Sequence, residues 1–269
     1  MDNLMIASIL SMTGLAVLFA GILGFADKKL RVEDDPKVKE INSLLPGVNC
    51  GACGYLSCHD FAEHIVTEGA EPSKCKVISE ETLEKLCSLS GSDLTDVIPT
   101  IALVICSAKN ENKKAKAEYK GVKTCTAANL VFGGGMECQY GCIGLGDCVA
   151  ACSFDAIKIE EGLATVDINK CTGCGKCVSA CPRDIIVLQE KKKEANLFYV
   201  ACSSYDGPLR VRQICGVGCI GCGICQKLST EGFFTVENNL SKADYEKQKD
   251  SGKVRELVAK CPTKVIKEL

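Results

Sequence analysis

The chain has no tryptophan, and only eight Phe and six Tyr among 269 residues. It therefore lacks the aromatic platforms on which unpaired bases stack. Charge points the same way: 32 Lys and Arg stand against 34 Asp and Glu, a net −2, so neither nucleic acid nor an acidic surface is implied as a partner. No G-x-G-x-x-G fingerprint is present. The run Gly133-Gly134-Gly135 lacks that pattern and its strand–turn–helix setting, and reads as a tight loop rather than a phosphate cradle. With no flavin motif either, nothing in this chain alone is built to handle a hydride. The N-terminus, Met1-Asp2-Asn3, lacks the basic region of a secretory signal.

What the chain has in excess is cysteine, 21 residues. A disulfide framework suits short secreted chains; here the chain is long, the count is odd, and the thiols of each run lie too close in sequence to bridge well. Structural zinc needs four ligands and no donation to a neighbouring site. The clearest run is Cys171-Thr-Gly-Cys174-Gly-Lys-Cys177-Val-Ser-Ala-Cys181-Pro182. Three thiolates at this spacing wrap one cubane, and the Cys before Pro ligates a different cluster in two-cluster ferredoxins. Reduced thiols and clusters imply a cytoplasmic location.

Leu4 to Phe25 is 22 residues without a charge. As a helix at 1.5 Å per residue it spans about 33 Å, against a hydrocarbon core of about 30 Å. Lys28, Lys29 and Arg31 follow at once, so the positive-inside rule places the bulk of the chain on the cytoplasmic side of a single-pass anchor in the cell membrane. Gly14, Gly21, Gly24, Ala7, Ala16 and Ala20 offer small residues for packing against other membrane helices. The expected organisation is an anchor over 1–27, a charged tether over 28–40 broken by Pro36, a helical four-Cys domain over 41–92, a two-cluster ferredoxin-like module over 93–195 and a degenerate one over 196–269. The fold class is α+β.

In the four-Cys domain, Cys58–Glu68 and Glu80–Leu89 read as helices. Phe61, Ile65 and Val66 fall at helical spacing, and Ser79 opens a Ser-Glu-Glu-Thr capping sequence. Beyond it lie two unequal copies of one plan. Each opens on an apolar strand ending in Cys-Ser, Ile101 to Cys106-Ser107 and Leu197 to Cys202-Ser203. Each then has a polar stretch, one further Cys (Cys125; Cys215), a ferredoxin-like cysteine run and a strand pair. The pairs are Ala156–Glu160 with Ala164–Ile168, and Phe233–Glu237 with a return near Leu240–Tyr245. The Lys-rich stretch Lys109 to Lys123 reads as a solvated loop in preference to the alternative, a basic patch for an acidic electron donor.

Sorted by spacing, the cysteines give four expected [4Fe–4S] clusters. Cys50, Cys53, Cys58 and Cys75 hold the first; with four thiolates available, the flanking His59 and His64 read as ordinary helix residues. By ligand exchange, Cys138, Cys142, Cys148 and Cys181 hold the second, and Cys152, Cys171, Cys174 and Cys177 the third. Ser153 stands where a Pro would follow Cys152. Cys219, Cys222, Cys225 and the remote Cys261-Pro262 hold the fourth. There Ser229 replaces the exchanged Cys, and the second run is erased between Tyr245 and Lys260. Cys87, Cys106, Cys125, Cys202 and Cys215 are left over. They read as buried thiols, but the paired recurrence of Cys106/Cys125 and Cys202/Cys215 keeps an extra or substitute ligand open. Cys215, four residues before Cys219, is the foremost substitute.

These features together resemble the B subunits of Rnf complexes, the membrane-bound ferredoxin:NAD+ oxidoreductases that couple electron flow to ion translocation. The anchor, the run Leu45-Pro-Gly-Val-Asn-Cys50-Gly-Ala-Cys53-Gly-Tyr-Leu-Ser-Cys58 with Cys75, and the Cys-Pro ferredoxin runs carry the resemblance in that order. It implies electrons taken from soluble reduced ferredoxin and passed to membrane and flavin subunits that reduce NAD+. The four-Cys unit also resembles a domain of corrinoid iron–sulfur proteins. A membrane-tethered redox sensor or scaffold and a donor for corrinoid reactivation are the competing readings.

Overall fold

The structure, a computed structural model, describes residues 3–30, 35–92, 99–191, 197–229, 232–247 and 251–269. It is α+β. Helix α1, Asn3–Leu30, contains an exposed apolar stretch, Met5–Lys29, of mean hydropathy 2.2, long and apolar enough to cross a membrane. Lys28 and Lys29 close its last turn, where cations complement the helix dipole.

Helix α2, Pro36–Leu44, begins at the proline expected to break a tether. Pro at the first helical position loses no hydrogen bond and has its φ preset, and the Asp35 carboxylate accepts from Lys37 N at 2.8 Å. Pro36 thus starts a helix rather than interrupting a linker; residues 31–34 lie outside the described ones. Val38 and Ile41 of α2 pack with Phe61, Ala62 and Ile65 of α3 (Cys58–Glu68) and Leu86 of α4 (Glu80–Ser90). Ser57 and Ser79 cap α3 and α4, and Gly69 and Gly91 end them in the left-handed conformation.

The first ferredoxin-like module opens with β1, Thr100–Val104, followed by α5 (Cys125–Leu130) and α6 (Asp147–Ala151). The hairpin β2–β3 (Ile157–Glu160, Leu163–Val166) then leads to α7 (Lys176–Ser179) and β4 (Ile186–Glu190). β1 pairs antiparallel with β4, Thr100 opposite Glu190 and Val104 opposite Ile186. The second module repeats this: β5 (Phe198–Val200), α8 (Pro208–Ile214), α9 (Ile224–Leu228), the hairpin β6–β7 (Phe234–Glu237, Leu240–Ala243), α10 (Ser251–Ala259) and β8 (Ile266–Glu268). β5 pairs antiparallel with β8. The duplicated strand–hairpin plan is therefore present, with one closing strand per module beyond those expected.

Where the second cysteine run is erased, α10 stands instead. Its Val254 and Leu257 join Phe198, Phe233, Phe234 and Val265 in an apolar core. Apolar packing thus replaces metal as the source of stability in that half. Ser229, at the erased ligand position, accepts a hydrogen bond from Phe234 N at 3.0 Å.

Candidate functional site

In the first domain, Cys75 follows the short turn Pro72–Lys74 and is buried, within electrostatic reach of Cys50, Cys53 and Cys58. Burial, and then those three neighbours, push its thiol above the ordinary range. The Asn49 side chain accepts from Cys58 N at 2.8 Å, and Gly51 O accepts from Gly54 N at 3.0 Å, so the loop folds back on α3. The histidines are engaged elsewhere: His64 Nδ1 lies 2.8 Å from Asp60 O with Tyr55 against its ring at 4.7 Å, and His59 faces Glu63 at 3.8 Å. Cys87 is buried in α4.

In the first ferredoxin-like module, Cys177 lies within electrostatic reach of Cys171, Cys174 and Cys152. Burial and these neighbours raise its thiol to about 11. Ala102 N donates to Cys171 Sγ at 3.4 Å, so β1 backs this cage directly.

Cys142, Cys148 and Cys181 line one cavity, but the fourth thiol there is Cys125, not Cys138. The cause is local. Asp147, immediately before Cys148, accepts from Cys125 N at 2.7 Å and from Thr126 N at 2.9 Å, drawing the start of α5 beside Cys148. Although burial opposes its charge, these bonds and one from the Thr126 hydroxyl hold the Asp147 carboxyl below its usual range. Burial, with Cys142, Cys125 and Cys181 nearby, pushes the Cys148 thiol up to about 12. Cys138 is pulled away because its segment pairs with the Lys-rich stretch: Glu137 N donates to Lys114 O at 2.9 Å and Lys116 N to Gly135 O at 2.7 Å. The expected grouping of Cys138 with Cys142, Cys148 and Cys181 is thus replaced at that position. The Lys-rich stretch is correspondingly not all solvated, since Lys113 Nζ is part-buried and donates to the carbonyls of Cys142 at 2.8 Å and Gly162 at 2.5 Å.

In the second module, Cys219, Cys222, Cys225 and Cys261 line one cavity. Cys215 does not line it, against its expected role as a substitute there, and faces a different cavity with Cys106, Cys138 and Cys202. The buried Ser241 hydroxyl lies 3.1 Å from Cys225 Sγ. A hydroxyl donating to a ligand sulfur favours the reduced, more anionic state. If that bond strengthens by about 1 kcal/mol on reduction, it is worth roughly 40 mV at one electron. Ser241→Ala should therefore lower the potential of this site by about that amount in an EPR-monitored titration; an unchanged potential would remove Ser241 from the tuning.

These sites suit iron–sulfur clusters chemically. The donors are soft thiolates. Two buried polar atoms without a protein partner, Thr172 Oγ1 and Arg183 Nε, belong to residues adjoining Cys171 and the Cys181-Pro182 turn, where sulfur acceptors would satisfy them. Bound there, such a cluster supplies one-electron redox capacity. The protein contributes sulfur ligands, amide and hydroxyl donors, and burial.

Cysteine cages on duplicated ferredoxin-like hairpins define an iron–sulfur electron-transfer protein. Residues 45–77 match the family described as "Putative Fe-S cluster", and 164–187 match the 4Fe-4S binding domain. The chain is 36% identical over 267 residues to the B subunit of the ion-translocating oxidoreductase complex of Methanosarcina acetivorans, covering 99% of both chains. It is 38% identical to the B subunit of the Na(+)-translocating ferredoxin:NAD(+) oxidoreductase complex of Acetobacterium woodii, over 97% of this chain and 78% of that one. With the B subunit of the proton-translocating ferredoxin:NAD(+) oxidoreductase complex of Clostridium ljungdahlii the identity is 35%, over 99% and 93%. The chain belongs to the family of Rnf, or ion-translocating oxidoreductase, B subunits.

Proposed function

We propose that this chain takes single electrons from a reduced soluble ferredoxin and passes them to membrane and flavin subunits of its complex, which reduce NAD+ and translocate an ion. The four cages expected from spacing would each hold one [4Fe–4S] cluster, with Cys125 in place of Cys138 in the second. Helix α1 would anchor the chain in the cell membrane with its bulk cytoplasmic, as the basic residues after the helix favour. The two ferredoxin-like modules would receive electrons. The four-Cys domain, nearest the anchor in the chain, would deliver them.

The observation that carries this reading is the repeated gathering of cysteines far apart in sequence, round separate cavities in two places and within electrostatic reach of one another in two more. A sensor or scaffold needs fewer. The test is direct. Reduced ferredoxin added anaerobically to the purified chain should bleach its cluster absorbance within the mixing time, whereas the same buffer without ferredoxin should not. Absence of bleaching at stoichiometric ferredoxin would reject the electron-acceptor role and leave the sensor reading.

A further inference from the structure

We propose that Cys106, Cys138, Cys202 and Cys215 bind a fifth [4Fe–4S] cluster in the seam between the two ferredoxin-like modules. These four thiols and Cys142 line one cavity, larger than those at the second and fourth cages. Cys142 also faces the second cage, where Cys125, Cys148 and Cys181 complete its set. Four thiols therefore remain for the seam.

The seam is built by the duplication. Cys106 and Cys202 end equivalent strands, and the serine after each reaches across to the other module: Ser107 Oγ donates to Ala201 O at 3.3 Å, and Ser203 Oγ to Tyr140 O at 2.8 Å. Cys215 is brought in by a bridge to Lys113, with Lys114 N donating to Ile214 O at 3.2 Å and Gly216 N to Asn112 O at 3.0 Å. Arg210 pairs with Glu137, next to Cys138. Gly141 leaves the wall low, since a Cβ there would lie 3.4 Å from Cys138 Sγ and 3.9 Å from Cys106 Sγ.

Electrostatics agrees with that geometry. Cys106 and Cys215 both act on Cys138, and Cys106 acts on Cys202 and Cys215. Lys113, one of the residues lining the cavity, acts electrostatically on Cys215 and offers a counter-charge to an anionic thiolate-ligated core. The location suits a relay. Cys142 is a wall shared with the second cage, and Cys202 lies within electrostatic reach of Cys219 of the fourth. Ligation releases the four thiol protons; in use, one electron enters from one neighbouring cluster and one leaves to the other.

The site goes beyond the four-cluster reading but rests on it for the Cys125 exchange. The full-length chain, loaded anaerobically, should carry about twenty iron and twenty acid-labile sulfide. Cys202→Ala and Cys138→Ala should each lose about four of both and the same EPR component, whereas Cys125→Ala should lose about four with a different component. A Cys202→Ala protein with wild-type iron, stoichiometric zinc in the wild type, or Cys138→Ala removing the component lost in Cys125→Ala would overturn the fifth site. The difference between wild type and Cys202→Ala reads out this site whatever the total. A total below about sixteen would fault the four-cluster reading instead. Should the variants fail to fold, Mössbauer iron counting of the wild type decides, about twenty supporting the site and about sixteen overturning it.

Discussion

Cys75→Ala is expected to stop electron flow to the membrane partners while ferredoxin still reduces the remaining clusters. Cys75 is the one thiol of the expected first set that comes from outside the loop 50–58, and its side chain packs in the same core as Phe61, Ile65 and Leu86. Without it, three thiols remain on a loop held by a few hydrogen bonds, and the cube has an open corner. Iron should fall by about four per chain. Ferredoxin-driven NAD+ reduction by the assembled complex should fall by about 100-fold or more, since even outer-shell partners of a metal are worth about 10–100-fold. Ferredoxin-dependent bleaching of the rest should persist. If turnover in the complex is unchanged, the four-Cys domain is not the delivering end.

Much of this architecture can be read locally. Cys58–Glu68 is legible because a capping serine, an apolar stripe and a terminal glycine agree over eleven residues, and the helix has those bounds. The hairpins β2–β3 and β6–β7 are legible because their turns close within two residues. The closing strands β4 and β8 are not, since each pairs with a strand at the far end of its module, and nothing local marks that partner. Their signal is the repeat itself: Cys181-Pro and Cys261-Pro both lead through a residue of positive φ, Asp184 and Lys264, into an Ile-containing strand.

The cages divide in the same way. Spacing suffices for Cys171, Cys174 and Cys177, because a few residues of loop permit only one wrapping. It fails for Cys138, because the intervening chain can turn either way. What decides is the Asp147 carboxylate at the start of α5 and the pairing of 135–137 with the Lys-rich stretch, both of long sequence range. The recurrence of Cys106 and Cys202 is visible in the sequence. That they face each other depends on how the two copies pack.

Gly173→Ala should unload the third cage, and the reason separates two roles of glycine. Gly173 lies between Cys171 and Cys174 at φ +67, and an added Cβ would meet the Thr100 backbone and hydroxyl, its carbonyl carbon at 2.8 Å. Thr100 opens β1, the strand whose Ala102 N donates to Cys171 Sγ. The left-handed conformation costs a non-glycine about 1–2 kcal/mol, and overpacking against backbone about 1–3 more. Gly223, in the second module, has φ +72 but nothing within 4 Å of a Cβ, so Gly223→Ala carries the conformational cost alone. Gly173→Ala should therefore lose roughly 2–5 kcal/mol and about four iron, and Gly223→Ala no more than about 1–2 kcal/mol with its iron retained. Denaturant unfolding with iron analysis compares them. Equal stability and equal iron in the two variants would mean that β1 yields to the added methyl, and that the strand does not hold the cage in place.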